Sequence, residues 1–258
     1  MKIITNFLPP PESSPYNPAK SLLLGGNQSG QIIMNGMGGE SYGVRRILPY
    51  SQNMDQILVS ARLNEDLYLF RDIQLSALHT LFRSIDGLFA PFTIQKNNSI
   101  VFELQNAGIE TQTVNIQLIG YDHHAMSRLT QAYEQIGAQV PVPRFLYGHS
   151  LVPANGVNAN LGVKSKSVDV EMRRMAMSSD HPAEIMASMR VYNTTVRNEL
   201  FIAQINDEFD GLYANVPFVV GANVPFDVVA SNRGQQVARV SFLGEGYLVQ
   251  SDQQSEEA

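Results

Sequence analysis

Several short segments hold residue types that could do chemistry. Asp122-His123-His124 brings together one carboxylate and two imidazoles, the donors a transition metal prefers. Adjacent side chains on a strand point to opposite faces, so one ion could take both imidazoles only at a turn. The other histidines, His79, His149 and His181, are scattered, and the matching place in the second half holds Leu248-Val249. A linker is expected at 122–124, with no metal. Gly25-Gly26-Asn27-Gln28-Ser29-Gly30 and Gly36-Met37-Gly38-Gly39 invite a phosphate-loop reading. No Gly-Lys-Ser/Thr follows either one, and no GxGxxG opens a helix after a strand. They read as loops, and no cofactor is expected. Asp207-Glu208 has the paired carboxylates of a hydrolase, but an open loop solvates such a pair. The chain has no cysteine and no GxSxG elbow, so nucleophilic catalysis lacks its usual residues. An enzyme is not expected.

Two arginine pairs remain, Arg45-Arg46 and Arg173-Arg174. One role is contact with an anion or nucleic acid. The other is a strand-edge charge or an interface fork to a carboxylate. A net charge of −6 argues against a surface that neutralises phosphates, so the structural role is preferred. All four arginines are candidate interface residues. No sequence-specific nucleic-acid binding is expected.

The elements that must position these residues come in two copies. Val44-Arg45-Arg46-Ile47 aligns with Met172-Arg173-Arg174-Met175, and Ser51, Ile57, Ser60 and Arg62 with Ser179, Ile185, Ser188 and Arg190. Further on, Asp86-Gly87-Leu88 matches Asp210-Gly211-Leu212, and Pro91-Phe92 matches Pro217-Phe218. Asn97, Asn106, Gly108, Val114 and Gly120-Tyr121 then match Asn223, Asn232, Gly234, Val240 and Gly246-Tyr247. The order is kept and the offset drifts only slightly, as loop changes after an internal duplication would produce. The shared positions are turn formers, core apolar residues and arginines, so what was copied is a scaffold. Domains are expected at 1–127 and 128–250, followed by a disordered acidic tail at 251–258.

Hydrophobic residues make up 44% and charged residues only 16%, which suits a surface largely covered by neighbours. No stretch approaches a membrane span, and the first residues lack a signal-peptide core. Pro9, Pro10 and Pro11 lie in a proline-rich start that favours extended backbone. This segment is expected to be an arm lying on a neighbouring subunit, and its three prolines join the candidate interface residues.

Strands are expected at 45–49, 56–63, 67–70, 89–94, 100–105 and 114–119. Their counterparts are 187–191, 199–205, 217–220, 226–229 and 237–242, with turn signals between them. Residues 72–85 have helical spacing, and Asp72 suits a helix start. The fold class is all-β: two tandem jelly-roll-like antiparallel β-sandwiches with at most one or two short helices.

Three segments carry a resemblance. They are Pro91-Phe92-Thr93-Ile94, the strand Ile100-Val101-Phe102-Glu103-Leu104-Gln105-Asn106, and Val114-Asn115-Ile116-Gln117-Leu118-Ile119-Gly120-Tyr121. The pattern is a proline-led strand, a strand ending in Asn, and a last strand ending in Gly-aromatic, echoed from Pro217-Phe218 to Gly246-Tyr247. It resembles bacteriophage virion structural proteins with jelly-roll-like domains, including the double jelly-roll capsid proteins of tailless phages. The resemblance implies a non-enzymatic capsid, minor capsid, decoration or head–tail protein. Such a protein is made in the host cytoplasm, assembles with itself and other virion proteins, and resides in the particle. A host-surface or carbohydrate-binding sandwich is the alternative, and a cupin-like enzyme a remote one.

Overall fold

The computed structural model describes residues 15–35, 40–63, 67–83, 88, 91–164, 166–208 and 218–248. The first half contributes strands β1 (Pro15–Tyr16), β2 (Ala19–Leu24), β3 (Ser29–Asn35), β4 (Tyr42–Tyr50), β5 (Ile57–Leu63) and β6 (Leu67–Gln74). Helix α1 (Leu75–Phe82) follows, then β7 (Phe92–Ile94), β8 (Ser99–Asn106) and β9 (Gln112–Tyr121). Helix α2 (His123–Gln135) leads into the second half. There β10 (Pro143–Val152), β11 (Ala159–Asn160), β12 (Val170–Ser179), β13 (Ile185–Val191) and β14 (Thr194–Phe201) precede helix α3 (Ile202–Glu208). β15 (Phe218–Val220), β16 (Phe226–Asn232) and β17 (Ala238–Leu248) complete it.

These strands form four antiparallel sheets. Sheet A has the order β2-β9-β4-β7, with β1 also on β9, and sheet B the order β3-β8-β5-β6. Sheet C is β10-β17-β12-β15 and sheet D is β11-β16-β13-β14. Each half is thus a jelly roll of two layers built on four strands in the same order, with β1 as a fifth strand of sheet A. Alternation drives the layering. On β9, Val114, Ile116 and Leu118 are buried, while Thr113 is exposed and Asn115 and Gln117 are half-buried. Ile57, Val59 and Phe102 face them from sheet B in one core. Met177, Ile185, Phe226 and Phe242 fill the second core.

The shared residues explain themselves in pairs. In β4 the pairing with β9 slips between Val44 and Arg46, and in β12 the pairing with β17 slips between Met172 and Arg174. Each slip is a β-bulge that adds one residue and resets which side chains face inward. Val44 and Ile47 therefore both enter the core, as do Met172 and Met175. Gly120 lies opposite Val44, and Gly246 opposite Met172. A Cβ at Gly120 would strike the Gly43 carbonyl, and one at Gly246 the Glu171 carbonyl. The Gly-Tyr ending of both last strands thus answers to close backbone approach beside the bulge.

Asn106 and Asn232 form matching polar knots. Asn106 is fully buried; its Nδ2 donates to the carbonyls of Leu24 (3.3 Å), Gly25 (3.1 Å) and Glu110 (2.7 Å). Its Oδ1 accepts from Gly108 N–H at 3.0 Å. Asn232 repeats this with Val152 (3.2 Å), Gln236 (2.7 Å) and Gly234 (2.8 Å). One side chain in each half ties two loops together. Asn106→Ala would leave buried backbone groups without partners, at a cost of about 2–3 kcal/mol. The expected result is a fall of roughly 5–10 °C in the thermal midpoint followed by circular dichroism. Asn106→Asp keeps the acceptor but not the donors, and should not restore stability.

The helices protect strand edges. β7 pairs only with Tyr42, Gly43 and Val44 of β4. Beyond it α1 takes over: His79 Nδ1 lies 3.3 Å from the Pro49 carbonyl. In the second half Asn206 of α3 does this more fully. Its Oδ1 accepts from Met177 N–H (2.8 Å) and its Nδ2 donates to Met177 O (2.9 Å). Pro49, which stands in the place of Met177, has no N–H to satisfy, so a single bond suffices there.

Four expectations need correction. Asp72 does not start the helix; it lies in β6 with φ of 52°, and α1 begins at Leu75. Residues 199–205 are not one strand, because β14 ends at Phe201 and α3 follows. Asp122-His123-His124 is not an unstructured linker. Asp122 caps α2, its Oδ1 accepting from Ala125 N–H at 2.9 Å, so the described residues contain three α-helices and the 127/128 boundary falls inside one of them. β10 was not anticipated, although it pairs with β17 along its whole length. Asp86-Gly87, Asp210-Gly211, Pro217 and the tail at 251–258 lie outside the described residues.

Candidate interface residues and the seam between the halves

The four arginines all find partners within their own chain. Arg45 donates through Nε to Leu88 O (3.2 Å) and through Nη1 to the Tyr121 hydroxyl (2.9 Å), with its guanidinium 5.7 Å from that ring's centre. Arg46 donates to Phe82 O (3.2 Å) and Arg83 O (3.3 Å). Those carbonyls end α1, where a cation offsets the negative end of the helix dipole. Arg173 pairs with Glu171, and Arg174 donates through Nε to Glu245 at 2.6 Å. Glu245 is fully buried and its other oxygen accepts from the Tyr247 hydroxyl at 2.5 Å. The carboxylate fork expected at an interface is thus made between neighbouring strands of sheet C. β4 and β12 are also interior strands of their sheets, so these arginines do not decorate a free edge. Burial holds the Glu171 carboxyl above the usual range despite Arg173 beside it. Pro9, Pro10 and Pro11 lie outside the described residues.

The bulge register explains the divergence of the second arginine. Arg46 stands opposite Ile119, and Arg174 opposite Glu245. With no acid across the strand, Arg46 turns to the helix end.

Sequence reasoning missed the contact between the two sandwiches. Gln74 is fully buried there. Its N–H donates to Ser241 Oγ (3.0 Å), its Nε2 to Asp55 O (3.0 Å), and its Oε1 accepts from Ser178 Oγ (3.2 Å). Phe145 of β10 stands edge-on to Phe70, with centroids 5.9 Å apart, and lies 6.4 Å from Phe82. Phe145, Ala176 and Leu243 belong to the first half's apolar core although they come from the second. A glutamine beside a helix start reads as surface, and no local pattern reveals such a partner.

Asp55 sits at the rim of this seam. Burial raises its pKa, and the charge of Asp180 from the other half raises it further. The folded protein therefore resists ionising Asp55 more than the unfolded chain does. Stability from this group rises as pH falls through its folded pKa and levels off below about 3.8. Asp55→Asn should unfold at a higher temperature than the parent at pH 7, and the advantage should shrink toward pH 4. Calorimetry across that range checks this.

Two open grooves remain. One lies on the outer face of sheet B, lined by Ser29, Gln31, Ser60, Asp72, Glu103 and Gln105. There Glu103 pairs with Arg62 (3.0 Å) and accepts from the Tyr68 hydroxyl (3.1 Å). The other lies beside α2, where His123 Nδ1 is 2.7 Å from Glu40 and the His123 and His124 rings are 3.8 Å apart. Among the described residues no group of three or more His, Asp or Glu side chains is placed to hold a metal ion. Among them, too, no helix is long and apolar enough to cross a membrane.

No protein-family model matches the sequence, and no curated protein matches it. Among solved structures, the chain is similar to the major capsid protein P2 from bacteriophage PM2. Identity is 11% and the TM-score 0.38, over 91% of this chain and 99% of that one.

Proposed function

We propose that this chain is a structural protein of a bacteriophage particle that works by packing against copies of itself and other virion proteins. One observation carries the reading. The positions that give the sequence its resemblance to phage capsid proteins are spent on bracing two stacked jelly rolls. The terminal Asn of the strand ties loops in both halves, and the Gly-Tyr ending lets backbone approach a bulge in both. The arginines that could have met a substrate are committed to carbonyls, a tyrosine and buried carboxylates. A rigid brick of this kind supports assembly. Internal duplication of one jelly roll is the origin we infer, and it lets one chain fill two similar places in a shell.

Light scattering on the purified chain tests the reading. Association that grows with concentration, and incorporation into particles with the other virion proteins, is the expected result. A chain that stays monomeric at every concentration with those partners present would overturn it.

The polar groove on sheet B, lined by serines, amides and carboxylates, favours a carbohydrate-binding module as the second reading. Clear hits on a glycan array that vanish in Glu103→Ala would support it.

A further inference from the structure

Sheets A and C have the same strands in the same order but different surroundings. Every residue of β12 is buried, and so is every residue of β17 except Arg239 and Leu248. Sheet D covers one face of sheet C. The other is covered by β6 and α1 of the first half, through Gln74 on Ser178 and Ser241 and through Phe70 on Phe145. Sheet A has sheet B on one face; on the other, α2 reaches only the Gly43 end, through Met126, and leaves the Tyr50 end exposed. Its outer face presents Ala19, Leu23, Leu48, Tyr50, Asn115 and Gln117, with Leu23 68% and Tyr50 64% exposed. No charged side chain interrupts that set. Lys20 of β2 turns away to the Ile33 carbonyl (2.6 Å), and Arg46 is held at the end of α1. Interface cores are depleted of charge and enriched in tyrosine in this way.

The register names what would cover this face. Counted from the two bulges, Tyr50 and its partner Asn115 stand where Ser178 and Ser241 stand in sheet C. On the covering side, Gln74 pairs with Leu58, and Phe201 of β14 pairs with Met186 at the corresponding place. Within the chain a glutamine meets two serines. In the unfilled equivalent, a half-exposed phenylalanine would meet a tyrosine and an asparagine. Both sides differ together, from glutamine on two serines to phenylalanine on tyrosine and asparagine.

We propose that the outer face of sheet A takes the β14–α3 flank of a second copy of this chain, with Phe201 seated against Tyr50 and Asn115. The contact repeats between chains the one that β6 and α1 make with sheet C inside each chain. It is head-to-tail: one chain offers sheet A and its neighbour offers β14. Such contacts close into rings or run on as filaments. The proposal rests on the self-assembly reading and specifies its surface.

The chain has no cysteine, so introduced thiols report cleanly. Asn115→Cys and Phe201→Cys are prepared as separate full-length chains, mixed and mildly oxidised. Disulfide-linked heterodimers are expected to exceed either homodimer by about tenfold. Tyr50→Glu, with circular dichroism and thermal midpoint showing an intact fold, should raise the concentration for half-association at least about tenfold, or roughly 1.4 kcal/mol. If the parent associates but heterodimers show no excess and Tyr50→Glu associates normally, this face is wrong while self-assembly stands. If the parent never associates, both fail. If amide exchange at 113–117 is protected in the monomer and that protection is lost when residues 2–14 are deleted, the occupant is the chain's own amino-terminal segment and the proposal is overturned.

Discussion

Replacing Glu245 with leucine should destabilise the protein by about 3–5 kcal/mol, because it strands the buried Arg174 guanidinium without its carboxylate. Arg174 is 5% exposed and Glu245 0%. The Tyr247 hydroxyl loses its acceptor as well. Arg174→Met on top of Glu245→Leu should recover most of the loss, since two apolar side chains then replace a pair that was costly to desolvate. The first half already tolerates an apolar residue here, with Ile119 across from Arg46. The equivalent arginine there escapes to the end of α1, a route open because those carbonyls are close by. A double-mutant cycle in chemical denaturation checks the prediction. Single substitutions that cost under about 1 kcal/mol would show that water reaches the pair.

Phe145→Ala is expected to cost about 3–5 kcal/mol, the range for truncating a fully packed aromatic residue. Its second effect is more informative. Phe145 belongs by sequence to the second sandwich and by packing to the first. Removing it should loosen the coupling of the two halves before it damages either. A single calorimetric transition in the parent should broaden or split in the variant. An equally large truncation within one core, Phe226→Ala, should lower stability without splitting the transition. If both variants unfold as one unit, the seam is held chiefly by Gln74 and α1.

The halves differ in how much of them could be read from sequence. β9 is visible because it alternates strictly, one face core and the other not, and β8 because Ile100, Phe102 and Leu104 keep the period although Val101 is buried as well. β12 is buried on both faces and its sequence loses the period that marks a strand, whereas β17, nearly as buried, still alternates over 238–242, where a strand is expected. α2 carried a signal that went unused: Asp122 as a cap, then Ala125, Leu129 and Tyr133 on one buried stripe. Its polar remainder made it look like a linker. The arginine pairs were recognisable as repeated, but their partners were not. Whether a bulge arginine meets an acid or a helix end depends on a residue more than seventy positions away, Glu245 or Ile119, and on where α1 lies. Gln74 was the least legible of all, because a buried polar residue is defined by its neighbours and those come from the other half.

The composition of the first core also has a consequence in time. Three of its buried residues, Phe145, Ala176 and Leu243, are made after all of the first sandwich's own strands, the last of them in β17. Until then Phe70 and Phe82 lack part of their cover. A nascent or truncated chain therefore carries an unfinished, adhesive flank, and domain-by-domain folding during synthesis cannot complete here. The first core is complete only once β17 has been made, and a chain cut short before it keeps an apolar flank open to aggregation or proteolysis.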